Sequence, residues 1–169
     1  MQRVMVIGPC GAGKSSLARR LADTLQLPVT HLDRLHWQPG WVEGSKDELH
    51  QALKPVLAQE RWLIDGNYGS TMAPRLARAD TVIYLDYPIR LCLWRAARRV
   101  WTYRGRSRPD MTEGCPERFD REFFQYIATW NFHARPRTEG LLRQTDARIL
   151  RFRNPRALDA WLDSLESER

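Results

Sequence analysis

Residues Gly8-Pro9-Cys10-Gly11-Ala12-Gly13-Lys14-Ser15 satisfy the pattern G-x-x-x-x-G-K-[ST] at every fixed position. These residue types at this spacing bind a triphosphate. Glycines let successive backbone N–H groups converge on an anion. A helix starting where the loop ends adds its positive N-terminus. Lys14 then reaches the β- and γ-phosphates, and the Ser15 hydroxyl is a ligand for Mg²⁺. Gly8, Gly11, Ala12, Gly13, Lys14, Ser15 and Ser16 are therefore the expected nucleotide-binding residues, with ATP and Mg²⁺ as cofactors. Lys14 is one of three lysines among 27 basic residues, so lysine-rich composition does not explain its place.

Phosphoryl transfer further needs a metal-supporting carboxylate, an oriented acceptor and positive charge around the transferring group. Asp65 and Asp86 each follow an apolar run and fit the metal. Gly66 after Asp65 permits close backbone approach and favours Asp65, whereas Asp86 stands two residues before Pro88 and suits a helix cap. Asp33 is the candidate for the acceptor side, where it can take a proton from an attacking hydroxyl. Trp37 and Trp41 can stack on a planar substrate or pack in the core. Between Tyr87 and Pro109 lie seven arginines and no acidic residue. Arg95 and Arg99 are one helical turn apart, and Arg104, Arg106 and Arg108 follow on a loop. Arg95 is assigned to the nucleotide, and Arg99 and Arg104, with Lys14, to catalysis. Arg153 can stack on adenine or lie on the surface.

Elements must hold these groups on one edge. Arg3–Ile7 reads as a buried strand, and Leu17, Ala18, Leu21, Ala22 and Leu25 recur at helical spacing. Pro28–Leu32 reads as a second strand ending at Asp33, followed by a Pro-Gly loop through Trp41. Ser45 and Glu48 form a capping-box pattern for a helix to about Glu60. Arg61–Ile64 is a third strand, Thr71–Ala79 a short helix, and Asp80–Leu85 a fourth strand. Pro88 opens a helix to about Tyr103. Residues 105–116 read as a mobile loop, and Pro116 opens a helix. Its stripe of Phe119, Phe123, Tyr126, Ile127 and Trp130 is expected in the core. Arg148–Phe152 is a fifth strand, and Leu158, Trp161, Leu162 and Leu165 mark a closing helix. Strands alternating with helices imply an α/β fold with a parallel sheet covered on both faces. Ligands then bind at the carboxyl ends of the strands, where the glycine loop, Asp33, Asp65 and Asp86 all fall.

Composition sets the outer bounds. The 169 residues suit a single domain. No apolar run reaches membrane-span length, the opening residues resemble no signal peptide, and Cys10, Cys92 and Cys115 suggest no disulfide framework. A cytoplasmic protein is expected. The net charge of +7 is concentrated in the arginine segment, since basic and acidic residues balance elsewhere. The four histidines lack metal-ligand spacing and read as structural or surface residues.

Together the motifs resemble the adenylate-kinase-like P-loop kinases. More narrowly, the chain is similar to small bacterial topology modulation proteins (FlaR-like). The resemblance is carried by Gly8–Ser15, by His31-Leu32-Asp33-Arg34-Leu35 with Trp37-Gln38-Pro39-Gly40-Trp41, by Asp65-Gly66-Asn67-Tyr68, by the arginine-rich segment, and by Gly114-Cys115-Pro116-Glu117. It implies a P-loop NTPase three-layer sandwich with five parallel strands in order 2-3-1-4-5 and a short arginine-rich lid near residues 104–117. It differs from adenylate kinases, which carry Asp-Gly-Phe-Pro-Arg where this chain has Asp65-Gly66-Asn67-Tyr68-Gly69. The arginine for the acceptor phosphate is thus replaced by Gly69, with Arg75 as a possible substitute. The segment from Leu35 to Lys46 is also short for a nucleotide-binding insert, and Asp33 is more like the kinases that phosphorylate a hydroxyl. The expected function is ATP-dependent transfer to a small-molecule acceptor: a nucleotide, nucleoside or other hydroxyl compound. The alternative is a nucleic-acid-associated, ATP-binding regulator using the arginines.

Overall fold

In a computed structural model describing residues 1–167, Arg3–Ile7 forms strand β1, and its last four residues are wholly buried. Alternation sorts them onto two faces. Val4 and Val6 join one apolar cluster, and Met5 and Ile7 join the other. Burial on both faces is what a parallel strand between helical layers requires. β2 (Val29–His31), β5 (Trp62–Asp65), β6 (Thr81–Leu85) and β7 (Arg148–Phe152) complete an all-parallel sheet in the order β2-β5-β1-β6-β7. Counting these five alone, the order is 2-3-1-4-5. The added detail is an antiparallel hairpin, β3 (Trp37–Gln38) and β4 (Val42–Glu43), between the second and third strands.

One face of the sheet is covered by α1 (Lys14–Leu25), α5 (Ile89–Thr102), α6 (Arg121–Thr129) and α8 (Pro155–Ser167), through residues such as Leu17, Leu21, Ala96, Ile127 and Leu162. The other carries α3 (Lys46–Leu57), α4 (Gly69–Leu76) and α7 (Ala134–Leu142), through Leu49, Leu53, Met72, Leu76 and Leu142. The capping box at α3 is present: Ser45 accepts from the Glu48 N–H, and the Glu48 carboxylate accepts from the Ser45 N–H. No described helix is long and apolar enough to cross a membrane.

Four local expectations change. Asp33 is not at a strand end; it lies in the first turn of α2 (Leu32–His36), where a loop was expected. Pro116 opens no helix. α6 starts at Arg121, capped by Asp120, whose side chain accepts from the Phe123 N–H. Of the aromatic stripe, Ile127 and Trp130 are buried, but Phe119 is 72% exposed because it precedes the helix and stacks on Phe124. α7 was not anticipated, since Pro136 and Gly140 break its pattern.

Candidate active site

The glycine loop joins β1 to α1 and is shaped by two close approaches. A Cβ on Gly8 would lie 2.5 Å from the Leu85 carbonyl oxygen, and one on Gly11 would lie 2.2 Å from that of Cys92. Both backbones also adopt positive φ, so glycine is required twice over. α1 has no side-chain cap and no acidic residue in its first turn, which leaves its N–H groups to an anion. Lys14 curls back over the loop and donates from Nζ to the Pro9 carbonyl at 3.2 Å. Asn67 fixes the loop from outside: its Oδ1 accepts from the Gly8 N–H at 3.1 Å, and its Nδ2 donates to the Gly8 carbonyl at 2.8 Å.

The loop opens on a cleft of about 1540 Å³ at the carboxyl ends of the strands. Lys14, Ser15, Ser16, Asp33, Asp65, Arg95 and Arg99 all line it. Asp65 ends β5 and is buried. Its Oδ2 pairs with His31 Nδ1 at 2.8 Å, while its Oδ1 has no hydrogen-bond partner among the described residues. A buried, unpartnered carboxylate oxygen in the cleft that also holds the Ser15 hydroxyl suits Mg²⁺, which takes few protein ligands and keeps its waters. No group of three or more His, Cys, Asp or Glu side chains that could hold a metal forms among the described residues. Asp86 is engaged elsewhere. Arg135 binds it in bidentate fashion at 3.0 and 2.9 Å, and Arg151 lies 3.6 Å away. This ion pair, rather than a helix cap, is its structural role.

Asp33 is half-buried. Its Oδ1 accepts from the Tyr68 hydroxyl at 2.8 Å. Burial, reinforced by the Asp33 charge, raises the Tyr68 phenol well above its usual range, so it remains a donor. Trp37 and Trp41 both line the cleft, with ring centroids 5.4 Å apart, edge to face. Arg75 does not replace the missing acceptor-phosphate arginine. It is completely buried, and its guanidinium donates to the carbonyls of Thr71, Gly66, Asn67 and Tyr68. Burial lowers its pKa to about 9.

The arginine segment divides. Arg95 donates to the Ala12 carbonyl at 3.1 Å, at the end of the glycine loop. Arg99 and Arg108 both pair with the buried carboxylate of Glu117, at 3.0 and 2.6 Å. Arg108 also pairs with Asp110 at 2.7 Å. Arg104 is exposed and absent from the cleft lining; its backbone bridges to Glu117 at the base of the lid, and Arg108 takes the inward place. Arg153 is likewise exposed and outside the lining. Asp110 went unnoticed in the sequence. Burial pushes its carboxyl up, but the Arg108 charge, a hydrogen bond from Ser15 and the Arg19 charge outweigh this and hold it below the usual carboxylate range. Through Arg19, 3.4 Å away, it ties residues 104–117 to α1.

A second tie joins the lid to the β3–β4 hairpin. The Gly40 N–H donates to the Gly114 carbonyl at 2.9 Å, Trp41 Nε1 to the Pro116 carbonyl at 2.9 Å, and the Thr112 hydroxyl to the Trp37 carbonyl at 2.6 Å. Cys115 adds a bond from Sγ to the Gln38 carbonyl. Residues so distant in sequence gave no pairing signal.

A five-stranded parallel sheet with a glycine loop after β1 is the fold of the P-loop kinases. Solved structures agree. A shikimate kinase from Acinetobacter baumannii, in complex with shikimate, superposes with a TM-score of 0.60 at 20% identity, over 99% of this chain and 93% of that one. A shikimate kinase from Bacteroides thetaiotaomicron gives 0.58 at 17% identity, over 99% and 97%. A deoxyadenosine kinase from M. mycoides with bound dATP gives 0.55 at 12% identity, over 98% and 99%. No family model matches the chain, and no curated protein matches it.

Proposed function

We propose that this protein is an ATP- and Mg²⁺-dependent kinase that phosphorylates a small molecule: a nucleotide, a nucleoside or another hydroxyl compound. The observation that carries the reading is one cleft holding both halves of the reaction, with Lys14 and Ser15 at the start of α1, the unpartnered Oδ1 of Asp65, and Asp33 all on its wall. In this reading the loop N–H groups and Lys14 bind the phosphates, and Arg95 braces the loop. Ser15 and Asp65 hold Mg²⁺, which when bound neutralises charge developing between the β- and γ-phosphates. Arg99 and Arg108 supply guanidinium charge from the lid side. Closure of the lid excludes water from the transferring group. The names of the neighbouring structures, shikimate kinase and deoxyadenosine kinase, support the class. The resemblance to topology modulation proteins rests on the sequence motifs and fits the same chemistry in a cytoplasmic protein.

The test is ADP release from ATP with a panel of acceptors, comparing the intact protein with Lys14→Ala. Turnover is expected to vanish in the variant; full activity there would sink the kinase reading. One observation favours a second reading. Arg98 lies over the ring of Trp94, 5.6 Å from its centroid, beside Trp101, which is 81% exposed. Interleaved arginines and exposed aromatics suit stacking on a nucleic-acid strand. Salt-sensitive binding of single-stranded DNA, lost in a double substitution of Arg98→Ala and Trp101→Ala, would support it.

A further inference from the structure

The turn after β5 brings the two halves of the cleft together, and its chemistry bears on which acceptor the protein takes. We propose that Tyr68 and Asp33 form a receiver for a hydroxyl group, so that the acceptor is an alcohol and not a phosphate monoester, with Arg75 positioning this receiver. The proposal rests on the kinase reading above.

Three observations carry it. The first is the hydrogen bond itself: the Tyr68 hydroxyl donates to Asp33 Oδ1 at 2.8 Å. No described group bonds Asp33 Oδ2, so this oxygen is left to accept an O–H from a ligand in the cleft. A phosphate monoester at working pH offers no such proton and would meet a like charge.

The second is that, among the described residues, the arginines offered for a phosphate at this end are either buried against other partners or exposed on the cleft rim. Gly69 has no side chain, and the Arg75 guanidinium is fully buried against four backbone carbonyls. Arg118 lies over the Trp41 ring at 5.7 Å. Arg137 is exposed on α7, on another wall of the cleft.

The third is strain in the receiver's own backbone. Tyr68 has a φ of 35°, in the left-handed region that side chains other than glycine rarely adopt. Arg75 holds the carbonyls of residues 66–68, and this is what sustains that conformation. A strained residue fixed by a buried arginine and aimed at a cleft carboxylate is a positioning device.

In the step itself the acceptor oxygen attacks the γ-phosphorus and forms a new P–O bond. The bond from the γ-phosphorus to the β–γ bridging oxygen breaks, and ADP leaves with that electron pair. The acceptor's proton passes to Asp33 Oδ2. Trp37 and Trp41 wall the same region, which suits an alcohol carried on a ring.

The experiment uses matched pairs with ATP and Mg²⁺: adenosine against adenosine 5′-monophosphate, and glucose against glucose 6-phosphate. The alcohol of a pair is expected to give at least about a ten-fold higher kcat/KM, the scale of one well-placed proton acceptor. Transfer onto the phosphate of a monophosphate, read as ADP formed from adenosine 5′-monophosphate, at the rate of the alcohol overturns the proposal. If no pair is phosphorylated, water stands in as the O–H acceptor: acceptor-free ATP hydrolysis should fall about ten-fold or more in Asp33→Asn, and unchanged hydrolysis overturns the proposal. Tyr68→Phe should lower kcat about ten-fold while leaving the KM for ATP within about two-fold, a split that general loosening of the fold would not produce. Failure of the kinase reading looks different: no ATP binding at all, or full hydrolysis in Lys14→Ala.

Discussion

Asn67 grips Gly8 at both ends of its peptide, accepting from the N–H at 3.1 Å and donating to the carbonyl at 2.8 Å. The first glycine of the phosphate loop is thus tied to the residue two after Asp65, and the loop's position is set from the neighbouring strand. Asn67→Ala removes two hydrogen bonds worth about 1 kcal/mol each. The expected result is roughly ten-fold weaker ATP binding by calorimetry. Asn67→Asp should be worse, since a carboxylate cannot donate to the Gly8 carbonyl and brings negative charge toward the phosphates.

Gly11→Ala tests the packing of the loop on α5. The new Cβ would lie 2.2 Å from the Cys92 carbonyl oxygen, and the φ of 82° is unfavourable for alanine. Both effects together should cost about 2–4 kcal/mol. For a domain of this size the melting temperature should fall by roughly 5–15 °C. Thermal unfolding of the variant measures this directly.

Asp65 and Asp86 separate metal support from architecture. Asp65→Asn should raise the Mg²⁺ concentration for half-maximal activity about ten-fold or more, because a neutral amide is a poor ligand for a hard cation. Asp86→Asn should leave that requirement unchanged. It breaks a bidentate pair with the partly exposed Arg135, worth about 1 kcal/mol after solvent screening, and should lower the melting temperature by about 2–4 °C.

Asp110 makes its contacts with Arg108 and Arg19 depend on pH. Its carboxyl is held below the usual carboxylate range in the folded protein, so these contacts contribute fully above that range. The contribution is lost as pH falls through the depressed folded value. Hydrogen exchange in residues 104–117, corrected for its intrinsic pH dependence, should therefore increase below about pH 4. In Asp110→Asn the exchange should already be raised at neutral pH.

The glycine loop and its flanking elements were legible in the sequence because they are local. Eight consecutive residues, a strand before them and a helix after them define the loop without any tertiary information. The parallel sheet followed from the alternation of strands and helices, whereas its order was what the resemblance implied. Asp33 was picked out from the sequence, but its partners were not legible, because they are far apart in the chain. Tyr68 reaches Asp33 across 35 positions, and Asp110 bonds Arg19 across 91. Arg75 shows the limit most clearly. Its type suggested phosphate binding, and only its complete burial against carbonyls reveals a backbone clamp. Arg104 and Arg108 are two of a kind in sequence; the bridge between Arg104 and Glu117 decides which of them faces outward.

The bonds between hairpin and lid have a thermodynamic consequence. Residues 37–41 and 112–116, more than seventy positions apart, are fastened together as one flap beside the cleft. On the kinase reading, a molecule settling against Trp37 and a nucleotide at the glycine loop would touch the same flap, and any effect of one on the binding of the other would be returned by an equal factor.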